Sequence, residues 1–228
     1  IRPRAGLERP SADALRPADA GVPDGPRNLA EAIQVAQHPA AHGVVVAMAS
    51  EVHAAAWVRK VHPHRLQAFS SAEHPLVARW AEHALQFGER ENEISISDAL
   101  TLQAKRLTPL PALPWPRVDI VFSHAGANGD VLNACVAAGA RGIVIAATGN
   151  ATVHHELALA EERALAQGVL VVRATRCSEG EVMQSKAKTM PTEPPWPTHP
   201  SPVKARIDLM LQLIANDASV AKRLSAAS

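Results

Sequence analysis

Apolar positions recur at helical spacing behind Asp24-Gly25-Pro26, where Leu29, Ile33 and Ala36 define one face and an acidic residue ahead of a proline marks a helix start. His38-Pro39 ends that stretch. Gly43 to Met48, with Val44, Val45 and Val46 in succession, is a β-branched run of strand length and predicts a buried strand. From Val52 to Phe87 the pattern weakens to short candidate strands around 67–70, 76–79 and 84–87, read as an antiparallel or irregular edge.

Beyond residue 116 the pattern sharpens. A strand over Val118 to Phe122 is followed by a helix over 130–138 that Gly139 stops, a strand over 142–146, a helix over 154–167 that Gly168 stops, and a strand over 169–173. Strands separated by helices of this length through short connections pair in parallel, so this half is expected to be a small α/β domain. Val203 to Ala215 follows with Ile207, Met210, Leu211 and Ile214 at i, i+3, i+4 and i+7, one apolar helical face. Between the halves, Pro109, Pro111, Pro114 and Pro116 frame Trp115 in a stretch that can be neither helix nor central strand. Residues 101–116 are therefore expected to link two domains, 1–100 and 117–228. Glu181 to Pro202 is also proline-rich and is expected to run over the surface.

Apolar residues fill 47% of the 228 positions, and 44 of them are alanine, which still leaves a bulky set large enough for an ordinary core. With a formal charge of +1 the composition is neither that of a disordered chain nor that of a nucleic-acid protein recognised by charge. No run approaches the roughly eighteen apolar residues of a membrane span, so neither nucleic acid nor membrane is expected as a partner. The chain opens on Ile1, and residues 1–26 are rich in proline and arginine without an apolar stretch of signal-peptide length. The expectation is a fragment, a processed product or a misread frame. The cytoplasm is the expected compartment for the chain as given, and the periplasm the alternative if a signal peptide lies upstream.

In an open parallel sheet, ligands bind beyond the carboxyl ends of the strands. Ala147-Thr148-Gly149-Asn150-Ala151-Thr152 lies at such a place and joins a glycine to three hydrogen-bonding side chains. It is the internal candidate for a polar pocket, against the plainer reading of a turn with a helix cap. His53, His62 and His64 lack zinc-site spacing and are expected to be solvated surface residues; no metal is expected. Cys135 and Cys177 sit in no paired spacing and are expected in the core. Gly126 to Gly129 lacks the rest of a phosphate-binding fingerprint. Lys60, in Trp57-Val58-Arg59-Lys60-Val61, reads by composition as one exposed lysine among many.

Taken together, several segments resemble the bacterial L-asparaginase (type II asparaginase/glutaminase) family. They are Arg16-Pro17 with Asp24-Gly25-Pro26 and Asn28-Leu29; Val58-x-Lys60 with Phe69; and the run Val118-Asp119-Ile120-Val121, His124-Ala125-Gly126-Ala127 and Ala138-Gly139-Ala140-Arg141-Gly142-Ile143-Val144. Gly149-Asn150, Val171-Val172-Arg173-Ala174-Thr175-Arg176 and Pro202-x-Lys204-Ala205-Arg206 continue it. The resemblance covers roughly Ala14 to Ile214.

It implies an α/β fold of two domains, here a partial N-terminal α/β domain lacking its first strands and a small C-terminal parallel-sheet domain. It also implies hydrolysis of L-asparagine, and more slowly of L-glutamine, to the acid and ammonia by a threonine nucleophile, without cofactor or metal, in a homotetramer whose sites are completed between subunits. Lys60 stands where the family has the lysine that assists a threonine–aspartate pair, since a neighbouring cation and carboxylate make a hydroxyl a better nucleophile or proton relay. Thr152 stands where the family has a cross-subunit asparagine or serine, and with Asn150 it is the implied substrate-binding pair. The chain departs from the family in having no Gly-Gly-Thr, no Thr-Asp-Thr and no tyrosine. Arg59 and Val61 replace threonines beside Lys60, and Ile1 to Asp13 replaces an apolar strand. This chain alone is therefore expected to be incomplete as a catalyst, and the alternative is a non-catalytic ligand-binding or oligomer-forming remnant.

Overall fold

A proline placed at the start of a helix costs no hydrogen bond, because the first amides of a helix have no intrahelical partner. Pro26 takes such a position in α1 (Gly25–Gln37), behind Asp24. The computed structural model that contains this helix describes residues 7–11, 21–82, 84–88, 114–180, 182 and 201–226. Arg16-Pro17, residues 101–113 of the expected linker, and residue 181 with 183–200 of the expected surface segment lie outside the described residues. The chain divides into two compact units, Ile1–Thr101 and Leu102–Ser228.

The first unit is a five-stranded sheet with α1 on one face. Its strands are β1 (Leu7–Ser11), β2 (Gly43–Met48), β3 (Glu51–Ala54), β6 (Ala78–Ala81) and β7 (Ala84–Phe87), in that spatial order; the chain between β3 and β6 forms a separate two-stranded ribbon, β4 (Arg59–Lys60) and β5 (Phe69–Ser70). The β1–β2 pair is parallel and every other pair is antiparallel. Pro10 cannot donate to a ladder, which fits the edge position of β1 and its irregular register between Glu8 and Ser11. Ala32 and Val35 of α1 pack on Val45, Ala47, Val52 and Ala78.

The helix buries a different face from the one its apolar spacing predicts. Leu29 is 56% and Ile33 47% exposed, whereas Asn28 and Glu31 are buried beside Ala32 and Val35. The reason is the tight turn between β2 and β3, where Ala49 and Ser50 both adopt positive φ, 51° and 68°. Asn28 Oδ1 accepts from the Ala49 amide at 3.2 Å, and Glu31 accepts from the Ser50 amide at 3.1 Å and the Ser50 hydroxyl at 3.0 Å. Unpaired turn amides in this half-buried setting would cost more than two exposed aliphatic side chains gain, so the polar pair sets the rotation of the helix.

The second unit follows the alternation read from the sequence: β8 (Val118–Phe122), α2 (Asp130–Ala137), β9 (Gly142–Ala147), α3 (His155–Ala166), β10 (Leu170–Thr175) and α4 (Pro202–Ala226). The three strands are parallel in the order β10-β9-β8, and all six residues of β9 are buried. Leu132, Leu157, Ala160 and Ala164 of α2 and α3 cover Val121, Ile143 and Ile145 on one face; Ala205, Leu209, Met210 and Leu213 of α4 cover Val118, Val144 and Ala174 on the other. Gly139 and Gly168, at φ +87° and +81°, end α2 and α3 in the left-handed conformation that glycine alone adopts without strain. Two expectations for α4 are corrected. The helix runs well past Ala215, and although Met210 and Ile214 are buried as expected, Ile207 is 43% exposed and Leu209 and Leu213 join the inward stripe. Gly142 explains this in part, because its missing Cβ leaves the space that Leu209 occupies.

Candidate active site

Lys60 lies in the excursion that the chain makes between β3 and β6. There Arg59 pairs with Ser70 and Lys60 with Phe69, and the Val61 amide donates to Ala68 O at 2.7 Å. Lys60 is exposed, with its ammonium 6.0 Å from the centre of the Phe69 ring. At the tip of the ribbon, half-buried His62 and exposed His64 meet edge to face at 4.6 Å, and His62 Nδ1 accepts from the Arg65 amide. Lost hydration, followed by the nearby Arg65 and His64 charges, lowers the pKa of His62.

His53 is not the solvated residue expected from the sequence. It is 2% exposed on β3, and by strand alternation it faces away from Val52 and the α1 core. Its Nδ1 shares a hydrogen bond of 2.9 Å with Ser71 Oγ, itself in a buried residue just past β5. Nε2 lies 3.4 Å from Glu51 Oε2 without hydrogen-bonding geometry. Burial pushes the imidazole pKa below its ordinary 6.5, and the Glu51 carboxylate opposes this with the smaller effect. Trp57 and His74 stack at 3.7 Å and 13° on the same excursion. Ser71 and Glu51 had no signal in the sequence, because their spacing from His53 matches no motif.

In the second unit, the loop after β9 is closed on itself. The backbones of Thr148 and Thr152 bond reciprocally at 3.0 Å, their hydroxyls lie 2.9 Å apart, and Thr148 Oγ1 is also placed to donate to Thr152 O. Thr175 Oγ1, from the end of β10, donates to Gly149 O at 2.6 Å. Asn150 projects between two residues of positive φ, Gly149 at 42° and Ala151 at 58°, and both Asn150 and Thr152 are exposed. The loop thus joins the carboxyl ends of β9 and β10 into one rigid turn. The N-cap of α3 is His154, whose amide donates to the buried Ser123 at the end of β8. Lys60 belongs to the first unit, and Asn150 and Thr152 share this turn in the second. The cysteine expectation holds only in part: Cys135 is half-buried against the α2–α3 core, but Cys177 is exposed. Among the described residues no three His, Cys, Asp or Glu side chains are grouped to hold a metal ion, and no helix is long and apolar enough to cross a membrane.

Comparison with known proteins accounts for both units. A family model for the N-terminal domain of asparaginase matches residues 13–93, and one for the glutaminase/asparaginase C-terminal domain matches residues 117–223. The chain belongs to the glutaminase/asparaginase family. L-asparaginase 2 of Bacillus subtilis is 29% identical over 177 residues, which cover 74% of this chain and 44% of the relative. The "Probable L-asparaginase periplasmic" of Haemophilus influenzae is 32% identical over 169 residues, covering 73% and 47%. The solved structure titled as a probable cytoplasmic L-asparaginase from Campylobacter jejuni superposes with a TM-score of 0.70 at 26% identity, covering 88% of this chain and 64% of that one. The chain spans about half the length of the curated relatives it matches. Family members named for the periplasm and for the cytoplasm both match.

Proposed function

We propose that this asparaginase-family chain is the lysine-bearing part of an amidohydrolase that converts L-asparagine, and more slowly L-glutamine, to the acid and ammonia. The match of both units to the family's domains, in order along one chain, supports the reading most strongly. In it, Lys60 supplies a cation that lowers the proton affinity of a threonine hydroxyl, and Asn150 and Thr152 offer polar groups to the substrate of a neighbouring subunit. The rigid Thr148–Thr152 turn suits that role, because its hydroxyls are ordered before any ligand arrives. Assembly as a homotetramer and residence in the cytoplasm belong to the same proposal; sedimentation and cell fractionation check them.

Residues 1–228 hold neither a Gly-Gly-Thr nor a Thr-Asp-Thr segment. The chain alone is therefore expected to release no ammonia from L-asparagine above the buffer rate, and Lys60→Met to leave that result unchanged. Turnover that Lys60→Met abolishes would show that another hydroxyl of this chain attacks the amide.

A further inference from the structure

The ribbon that presents Lys60 has two residues in each strand, far less than an isolated two-stranded ribbon needs to hold its shape in water. Something outside the ribbon must hold it. Two contacts bear on its place. The Trp57–His74 stack lies across its base, but both rings belong to the excursion itself, so the stack joins the two ends of the ribbon to each other. The His53–Ser71 hydrogen bond differs in kind: both residues are buried, and the bond is directional and short at 2.9 Å. A buried polar group that loses its partner is penalised more than an exposed one, so this bond fixes where β5 can sit on the sheet. Register carries the constraint onward, because Ser71 directly follows β5, Phe69 pairs with Lys60, and the Phe69 ring lies under the Lys60 ammonium. From the other side, His53 is anchored in β3, which pairs with β2 through Val46 and with β6 through Val52.

We infer that His53 is a positioning residue for Lys60: through its hydrogen bond to Ser71 it fixes the β4–β5 ribbon on the sheet, and so the place of the lysine ammonium. The inference rests on reading Lys60 as the lysine of the reaction.

The test uses the 228-residue chain and compares Ser71→Ala with Ser71→Thr, which keeps a hydroxyl, and His53→Asn, which keeps a polar atom near the place of Nδ1. Native-state hydrogen exchange is read at the Val61 amide, bonded to Ala68 O inside the ribbon, and at the Ala55 amide, bonded to Val44 O of the main sheet. Loss of one buried hydrogen bond is expected to speed Val61 exchange roughly five- to tenfold in Ser71→Ala while Ala55 stays within about twofold. Ser71→Thr and His53→Asn should return Val61 toward its original rate. As a second readout, lysines carrying ¹³C-methyl groups are followed by NMR, where the Lys60 signal should shift in Ser71→Ala and return in Ser71→Thr while that of Lys204 stays fixed. An unchanged Val61 rate, an equal acceleration at Ala55, or a Lys60 signal indifferent to Ser71 would overturn the inference. Exchange and NMR report the ribbon whatever the substrate, so a failed ammonia assay leaves these results standing, and a failed exchange experiment does not touch the assay.

Discussion

Two residues of α1 do what its aliphatic residues do not. Asn28 and Glu31 bind the turn at Ala49–Ser50, and that turn holds two successive non-glycine residues in the left-handed region, each at a cost of about 1–2 kcal/mol. Asparagine tolerates this conformation better than alanine, and the Ala49 amide that bonds Asn28 is unaffected by the side chain. Ala49→Asn is therefore expected to raise stability by about 0.5–1 kcal/mol, read as a higher urea midpoint. Glu31→Ala has the opposite sign. Its carboxylate is 7% exposed and accepts from Arg27 Nε at 2.9 Å as well as from Ser50, so removing it strands the Ser50 amide and should cost about 1–3 kcal/mol. Arg27 is 69% exposed, and Arg27→Ala should cost under about 1 kcal/mol. Equal losses in the two variants would mean that the ion pair, rather than the turn, is what Glu31 supports.

Among the elements, α2 and α3 meet closely where α2 begins. Gly129, at the N-cap of α2, has an ordinary φ of −83°, so its backbone does not require glycine. Space does: a Cβ there would lie 2.5 Å from the Cβ of Ala160, which no side-chain rotation can move away. Gly129→Ala should cost about 1–3 kcal/mol by thermal or urea denaturation. Ala160→Gly should cost about 1 kcal/mol alone and little or nothing in the Gly129→Ala background; simple additivity would show that the helices do not meet there. The elements of the second unit were legible in the sequence because their signals are local, a β-branched run, then a helical stretch, then a stopping glycine. The first unit was harder to read because its decisive contacts are long-range. The rotation of α1 depends on a turn some twenty residues away, β1 is a strand by pairing despite Pro10, and the burial of His53 depends on Ser71. Of the candidate site, Lys60 is named only by family resemblance and Asn150 and Thr152 by the place of their loop beyond a parallel strand together with that resemblance, whereas the closure of the threonine turn and the polar pin behind the lysine ribbon become visible only in three dimensions.

At the scale of the whole molecule, each unit has its own core, and the two differ in how protons act on them. Burial holds the His53 pKa below 6.5, and that of His62 is lowered too, so between their folded values and 6.5 the unfolded chain binds protons that the folded first unit does not. Stability of that unit is therefore complete above 6.5 and falls as pH drops through the window. In the second unit, the hydrogen bond from Arg141 lowers the pKa of Asp217 from an ordinary 3.8, so its contribution is present above that value and is lost only at more acid pH. The Glu161–Arg173 pair, bidentate and largely buried, further ties α3 to β10 there. Urea unfolding of the full chain, followed by segment-resolved hydrogen exchange, should thus show two transitions. Lowering the pH from about 7.5 to about 5.5 should move the transition of residues 21–88 to lower urea while that of residues 114–226 stays in place. His53→Asn removes one of the two titrating groups and should reduce the pH dependence of the first transition, leaving the part due to His62. A single transition, or a second unit that follows pH in step with the first, would mean that the two cores unfold as one.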